Sequence, residues 1–274
     1  MRKFKDNVLR GLLWFSAFVT VGILLLIVGF IFYKGFRLIN LEFIFGDYSP
    51  TDGGGIWPMI VTTVYTIVIS LVIATPIGIL AAVYLQEYAK QGRLVKTIRF
   101  ATESLTGIPS IIYGLFGAVF FVTTLKLGMS IIAASLTLTI IVLPVVIRTT
   151  EESLKTVPQT YREGSLALGT TKLQTLMKVI LPSSMPGILS GIILSMGRIV
   201  GESAAIFLTA GTVAAMPASI FSSARTLTVH SYLVTQEAGD IELAAAIGIV
   251  LIVIILILNF SATFISKKLT KADY

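Results

Sequence analysis

Residues Glu163–Pro182 read EGSLALGTTKLQTLMKVILP, a polar interruption between two long apolar runs, punctuated as two short helices. Pro158 stands where a helix can begin, because a first-turn residue needs no N–H donor and the pyrrolidine ring presets φ. Gly169 stops that helix, since glycine takes the left-handed C′ conformation at little cost. Thr171-Lys172-Leu173-Gln174 has the form of a capping box opening the second helix. Its apolar face is Leu173, Leu176, Met177 and Ile180, at helical spacing. Pro182 and Pro186 mark the expected turn back into the next apolar run.

Glu163, a glycine six residues later, then a hydrophobe and Leu-Pro, together resemble the EAA loop of ABC-importer permeases. In that resemblance Glu163-Gly164-Ser165 stands for Glu-Ala-Ala, Gly169 for the loop glycine, and Val179, Leu181 and Pro182 for the closing Ile-x-Leu-Pro. Gly164 and Ser165 depart from the pattern but stay small, so close helix packing is expected to survive. The resemblance implies a loop that docks in a groove of an ATPase subunit and transmits its motion. The residues by themselves also fit an ordinary amphipathic surface hairpin.

Of the 274 residues, 55% are hydrophobic and 13% charged, which excludes an ordinary soluble domain and points to an all-α polytopic membrane protein. With no cysteine there is no disulfide framework, thiolate metal site or cysteine nucleophile. A net charge of +7 would suit nucleic acid, but the basic residues cluster beside apolar runs, as membrane orientation requires. No aromatic-studded basic face is available for bases, so membrane lipid and not nucleic acid is the expected surrounding.

Six transmembrane helices are expected, at about Gly11–Tyr33, Pro58–Leu85, Ile108–Leu125, Met129–Ile147, Ser184–Ala210 and Ile241–Ile265. The first has too long a core for a cleaved signal peptide and reads as a retained helix. Before the second, Asp52-Gly53-Gly54-Gly55 reads as a flexible turn; no strand precedes it and no P-loop lysine follows. Trp57 is an interfacial anchor, Pro58 a first-turn residue and Pro76 a kink. Gln86–Glu103 reads as a basic connection, with Glu87 and Glu103 as surface or subunit-contact groups. Lys126-Leu127-Gly128 is a tight turn, and Asn259 is placed to hydrogen-bond across helices. Sixteen Lys and Arg flank the side holding both termini and the 148–183 loop, against four on the other side. The positive-inside rule makes the first side cytoplasmic. No internal repeat supports an inverted-repeat carrier.

One basic residue, Arg198, falls about 15 residues into the fifth span, near or beyond the midplane at 1.5 Å per residue. An arginine there costs at least ~2.5–3.5 kcal/mol, so it is expected to face the bundle interior or an aqueous path. Glu202, four residues on, shares its helix face, and Gly197 and Gly201 flank the pair as small-xxx-small, a spacing Gly187 and Gly191 repeat. Two readings stand: Arg198 presents parallel donors to an anionic substrate, or the two residues form a structural ion pair. Among weaker candidates, His230 reads as an exposed polar side chain, and Arg225 as a solvated loop charge or an outer greeting group for an anion. No carboxylate pair, nucleophile–base set or metal cluster stands at workable spacing.

Gly197-Arg198-Ile199-Val200-Gly201-Glu202-Ser203-Ala204 is similar to the Arg-x-x-Gly-Glu-Thr/Ser segment of phosphate-importer permeases. Gly53-Gly54-Gly55-Ile56-Trp57-Pro58 and Gly107-Ile108-Pro109-Ser110-Ile111-Ile112-Tyr113-Gly114-Leu115 also fit that subfamily. The long first loop and the sequence after Glu202 resemble its PstA-type more than its PstC-type subunit. The resemblance implies a type I importer (MetI-like) fold, with residues 1–57 as an N-terminal transmembrane helix and external loop. Residues 58–274 would then be the permease core, carrying a cytoplasmic coupling loop at 151–183. It implies Arg198 and Glu202 as substrate-pathway residues and a bacterial or archaeal cytoplasmic membrane. The implied partners are a PstC-type permease, a dimer of PstB-type ATP-binding subunits that uses ATP and Mg, and an external PstS-type phosphate-binding protein. No cofactor or metal is expected on this chain. The rivals are a permease for another oxyanion such as sulfate or molybdate, a self-sufficient channel or secondary carrier, and an inert membrane scaffold.

Overall fold

In hydrocarbon every backbone polar group must find its partner within the protein, which leaves helices as the natural form of long apolar runs. The computed structural model describes residues 2–49 and 54–271, and among these there is no strand. Helix α1 (Arg2–Gly35) leads through a 3₁₀ turn to α2 (Leu41–Phe45), where Asn40 Oδ1 accepts from Phe43 N at 2.7 Å as an N-cap. Helix α3 (Trp57–Val83) starts on Pro58 and ends in a π turn, Tyr84–Tyr88. Helix α4 (Arg93–Thr106) meets α5 (Ser110–Gly117) at 100°, and α5 runs on as a π segment, Ala118–Thr124. The Tyr113 hydroxyl fixes that bend by donating to Leu105 O at 2.7 Å.

Helix α6 (Ile131–Thr156) is followed by α7 (Gln159–Ala167) and α8 (Lys172–Thr175). A π turn, Leu176–Ile180, carries α8 into α9 (Leu181–Val200). Helices α10 (Ala204–Ala210), α11 (Leu227–Leu233) and α12 (Ile241–Lys271) complete the described chain.

Five of these stretches are long and apolar enough to cross a membrane, and six if the α4–α5 pair is one bent span. Five of the six expected spans are therefore present with displaced ends, and the third, expected at Ile108–Leu125, reaches spanning length only together with α4 across the 100° bend. Gln86–Glu103 is not a mere connection: residues from Arg93 onward form α4, which lays Val95, Ile98 and Thr102 against the bundle. The fifth span starts earlier and stops earlier than its apolar run, at Lys172–Val200. Pro182 and Pro186 make no turn. Pro182 lies in the first turn of α9, where no donor is missed, and the preceding π turn bonds Leu181 N to Leu176 O. Ser183 Oγ closes on Val179 O at 2.6 Å.

Helices α3 and α6 form the centre of the bundle through hydroxyls and small side chains. Thr62, Thr63, Thr66 and Ser70 each return their hydroxyl to the carbonyl four residues earlier. Ser70 Oγ also reaches Ser135 O at 3.1 Å, and Thr139 Oγ1 reaches Ser70 O at 3.3 Å. A Cβ on Gly78 of α3 would sit 2.6 Å from Val146 of α6. Further along α6, Cβ atoms on Gly187 and Gly191 would collide with Ser153 and Thr149, so this small-xxx-small pair does admit a neighbouring helix. Gly54 and Gly55 likewise are no flexible turn: their backbones press on Ser49 and Gly46, with Ile56 N bonded to Phe43 O at 2.8 Å. Asp52 and Gly53 lie outside the described residues. The tight turn at 126–128 is present, with positive φ at Lys126 and Gly128. The Asn259 side chain makes no hydrogen bond to another helix among the described residues.

Overpacking a tight helix contact costs about 1–3 kcal/mol, whereas one interhelical hydroxyl bond in a membrane protein is worth about 0.6 kcal/mol. Gly191→Val is therefore expected to lower the thermal unfolding midpoint of the purified protein well below that of Ser70→Ala, measured side by side in one detergent.

Candidate functional site

Two places deserve chemical description: the 158–182 hairpin, and the end of α9 where Arg198 stands. In the hairpin, Pro158 is the N-cap of α7, and Gly169 takes φ +83°, the left-handed region glycine favours. The capping box is complete: Gln174 N bonds Thr171 Oγ1 at 3.2 Å and Thr171 N bonds Gln174 Oε1 at 2.9 Å. Ser165 does more than stay small. Its hydroxyl, with those of Thr170 and Thr175, forms a triangle of 2.8, 3.0 and 2.9 Å that ties α7 to α8. Gly164 admits no close helix packing, since a Cβ there would meet nothing within 4 Å.

The expected apolar face divides in two. Leu176 and Ile180 are buried with Leu154 and Val157, backed by Val83 and Val179. Leu173 and Met177 point outward, 59% and 55% exposed, on the same hairpin as exposed Tyr161, Leu166 and Leu168. The four residues form one helical stripe whose two edges part: the i,i+4 pair Leu176 and Ile180 turns inward and the pair Leu173 and Met177 outward. Glu163 is exposed, and Leu181 and Pro182 are half-buried.

Arg198 lies in the last turn of α9, half-buried, with no hydrogen bond or ion pair among the described residues. The helix does not continue to Glu202. Gly201 ends it, bonding its N–H back to Gly197 O, so the i,i+4 geometry that would pair Arg198 with Glu202 is never formed. Glu202 is instead buried and accepts from Ala205 N at 3.3 Å, at the start of α10. Gly197 faces open space and Gly201 only its own helix, so this second small-xxx-small pair receives no neighbour among the described residues. Gly114 of α5 is where a backbone comes close: a Cβ there would lie 2.8 Å from Ala205 Cα. Tyr113, beside that glycine, lies in the field of Arg198. The free C-terminal carbonyls of α9 carry partial negative charge that favours a cation there, and Thr228 Oγ1 donates to one of them, Val200 O. The result is a half-buried guanidinium with free donors on an uncovered edge, a geometry suited to a multi-oxygen anion.

A second cluster was hidden from the sequence. His230 is no exposed side chain; it is 2% exposed, with its Nδ1 3.2 Å from Arg225 Nη1. Its ring stands edge-on to Tyr48 at 5.5 Å, and the Arg225 guanidinium lies 5.2 Å from the Tyr48 ring centre. Arg225 is therefore packed rather than solvated. Burial, and after it the Arg225 cation, push His230 down to about 4. Glu87 also departs from its expected surface role: its side chain is 12% exposed and meets Arg162. No sequence signal marks Tyr48 as the neighbour of Arg225 and His230, or Glu87 as the partner of Arg162, because these residues come from distant segments.

Residues 74–271 match the family of binding-protein-dependent transport system inner membrane components. The chain is 34% identical to the Probable ABC transporter permease protein YqgI of Bacillus subtilis (strain 168), over 98% of this chain and 99% of that protein. It is also 34% identical to the Phosphate transport system permease protein PstA 1 of Mycobacterium tuberculosis (strain CDC 1551 / Oshkosh), over 80% of this chain and 72% of that one. Among solved structures, an inward-facing MetNI methionine ABC transporter superposes with a TM-score of 0.60 at 21% identity, over 79% of this chain and 94% of that chain.

The imidazole of His230 is neutral in the fold down to about pH 4 but takes up a proton in the unfolded chain below its ordinary pKa of about 6.5. Its contribution to stability is thus complete above pH 6.5 and is lost as pH falls from there toward 4, to a total of about 3 kcal/mol. His230→Gln is expected to flatten the melting temperature between pH 6.5 and 4, measured against the parent protein.

Proposed function

The chain belongs to the binding-protein-dependent transport system inner membrane components, and on that premise we propose that it is the PstA-type permease of an ATP-driven phosphate importer. Sequence similarity to phosphate-transport permeases supports the substrate. The observation that carries the reading is Arg198: a guanidinium without a protein partner, at the end of a helix that is otherwise apolar enough to span a membrane. Arg198 stands in the last turn of the Lys172–Val200 span and not at its middle. A cation there still favours water or an anion as its neighbour, and a phosphate supplies oxygens matched to its parallel donors.

In this reading the open edge at Gly197 and Arg198 faces a PstC-type permease, and the path runs between the two subunits. Glu202 shapes the path by fixing the start of α10 rather than by pairing with Arg198. The 158–182 hairpin is cytoplasmic, as the excess of Lys and Arg on its side supports. Its outward Tyr161, Leu166, Leu168, Leu173 and Met177 form the apolar surface that a PstB-type ATPase covers, with Glu163 at its edge. ATP and Mg act on that partner, and an external PstS-type protein delivers the ligand. This chain is then a transport component and carries no hydrolysis itself.

The test is uptake of labelled phosphate by the complete complex in proteoliposomes supplied with ATP. Arg198→Ala is expected to lower uptake at least tenfold while the subunits still co-purify; near-normal uptake refutes the pathway role. Competition by sulfate or molybdate at equal concentration would instead assign the permease to another oxyanion. In the same vesicles, Gly169→Val forces a β-branched residue into positive φ. It is expected to lower the phosphate moved per ATP hydrolysed severalfold, with hydrolysis itself retained.

A further inference from the structure

The end of the second span is where the hairpin is fastened to the bundle, and the fastening is polar. Arg162 of α7 places Nη2 2.7 Å from Glu87 Oε1, with the two side chains only 20% and 12% exposed. The contact is close but off the hydrogen-bond direction, so charge attraction rather than a directional bond holds it. The same Arg162 Nη2 donates to Leu154 O at 3.2 Å, near the end of α6. From the other half of the hairpin, Lys172 of α8 donates its ammonium to the backbone carbonyl of Glu87. It also stands 4.8 Å from the Tyr88 ring centre. That carbonyl belongs to the final π turn of the span, where the last helical oxygens have no partner of their own. Just inside this point, Val83 packs on the buried Leu154, Val157, Leu176 and Ile180.

Both halves of the hairpin therefore grip Glu87, from either side of Gly169, and α8 holds Tyr88 as well. Without this polar fastening, a rod pressed by an ATPase would pass its motion along α9, with which α8 is continuous, and to α3 and α6 only through apolar side-chain packing. We propose that Glu87 and Tyr88, held by Arg162 and Lys172, are positioning residues that make the hairpin and the end of the second span move as one body. The motor's stroke then reaches α3, and through its hydroxyl contacts α6, as well as α9. This rests on the reading of the hairpin as the ATPase-coupling element. Removing one charge of so enclosed a pair leaves the other uncompensated, so a neutral isostere at Glu87 is enough to loosen the grip.

The chain has no cysteine, so a Glu87→Cys, Arg162→Cys double variant can be bridged by a bis-thiosulfonate linker of about side-chain-pair length without background from this subunit, the parent complex treated with the same linker serving as control. In the complete complex in proteoliposomes, the unbridged double variant and Glu87→Gln are expected to keep hydrolysing ATP while phosphate moved per ATP falls at least threefold. Bridging should restore that ratio, which a merely structural role would not do. Parent-like coupling in Glu87→Gln, or transport abolished by the bridge, overturns the clamp, the second because it would mean that the two elements must slide. If the double variant does not assemble, Glu87→Gln and Lys172→Met decide the matter alone. A parent complex showing no ATP-driven oxyanion uptake would overturn the functional reading and the clamp with it, whereas parent uptake with an unaffected variant sinks only the clamp.

Discussion

Hydroxyl groups returned to helix carbonyls allow α3 and α6 to lie close, and the rest of the bundle is arranged on that pair. In a bilayer, helix association gains little from apolar burial, because lipid tails are as apolar as leucine. Close backbone approach and hydrogen bonding must supply the difference. Ser70 is shared between its own helix and Ser135 O, and Thr139 reaches back to Ser70 O, so the two helices exchange bonds at one level. Gly78 brings α3 onto Val146 one stretch further along, and Gly187 and Gly191 bring α9 onto α6 at Ser153 and Thr149. Thr63 extends the same chemistry outward by accepting from Leu227 N at 3.0 Å, which seats α11 on α3. The apolar cluster around Leu138, Ile141, Val142, Ile199 and Ile206 fills what these contacts leave.

Helix class, the six apolar stretches and the punctuation of the hairpin were legible because they depend on local rules. A capping box and a glycine with positive φ need only neighbours within a few residues, and both are present at Thr171–Gln174 and Gly169. Helix ends were less legible, because apolar content does not say where a backbone stops. The run through Ser184–Ala210 stays apolar while Gly201 ends the helix, and the second hairpin helix, expected to turn at Pro182 and Pro186, runs on without a break into the span. That single displacement undid the expected Arg198–Glu202 pair, since i,i+4 neighbours meet only if the helix between them is intact. The partners at Tyr48, Arg225 and His230, and at Glu87 and Arg162, were illegible for a different reason. They join segments scores of residues apart, and a lone histidine or glutamate in a polar segment carries no mark of its burial.

Proline and π turns together explain how the hairpin is made stiff where a break would be expected. Four helices here end or widen into π turns, at Tyr84–Tyr88, Ala118–Thr124, Leu176–Ile180 and Val234–Ala238 among the described residues. An i→i+5 bond inserts one extra residue per turn and rotates the side chains beyond it. Around 176–180 Leu176 and Ile180 face Leu154 while Leu173 and Met177 stay outside, so one segment both packs inward and offers an apolar surface outward.

The same widening decides how force can leave the hairpin. A continuous rod from Lys172 to Val200 carries displacement directly to the Arg198 end, because a helix resists compression along its axis while its backbone bonds hold. Arg198 then sits at the far tip of the rod whose near end is the exposed hairpin, in the last turn before Gly201. Beyond the tip the path is not rigid: Gly201, Glu202 and Ser203 separate α9 from α10, and Glu202 fixes only the second of these. A displacement delivered along α9 therefore moves the cation against α10 and Tyr113 instead of carrying them with it. A charge that shifts relative to its surroundings changes how tightly it holds an anion, and this is the physical requirement for coupling a distant push to release.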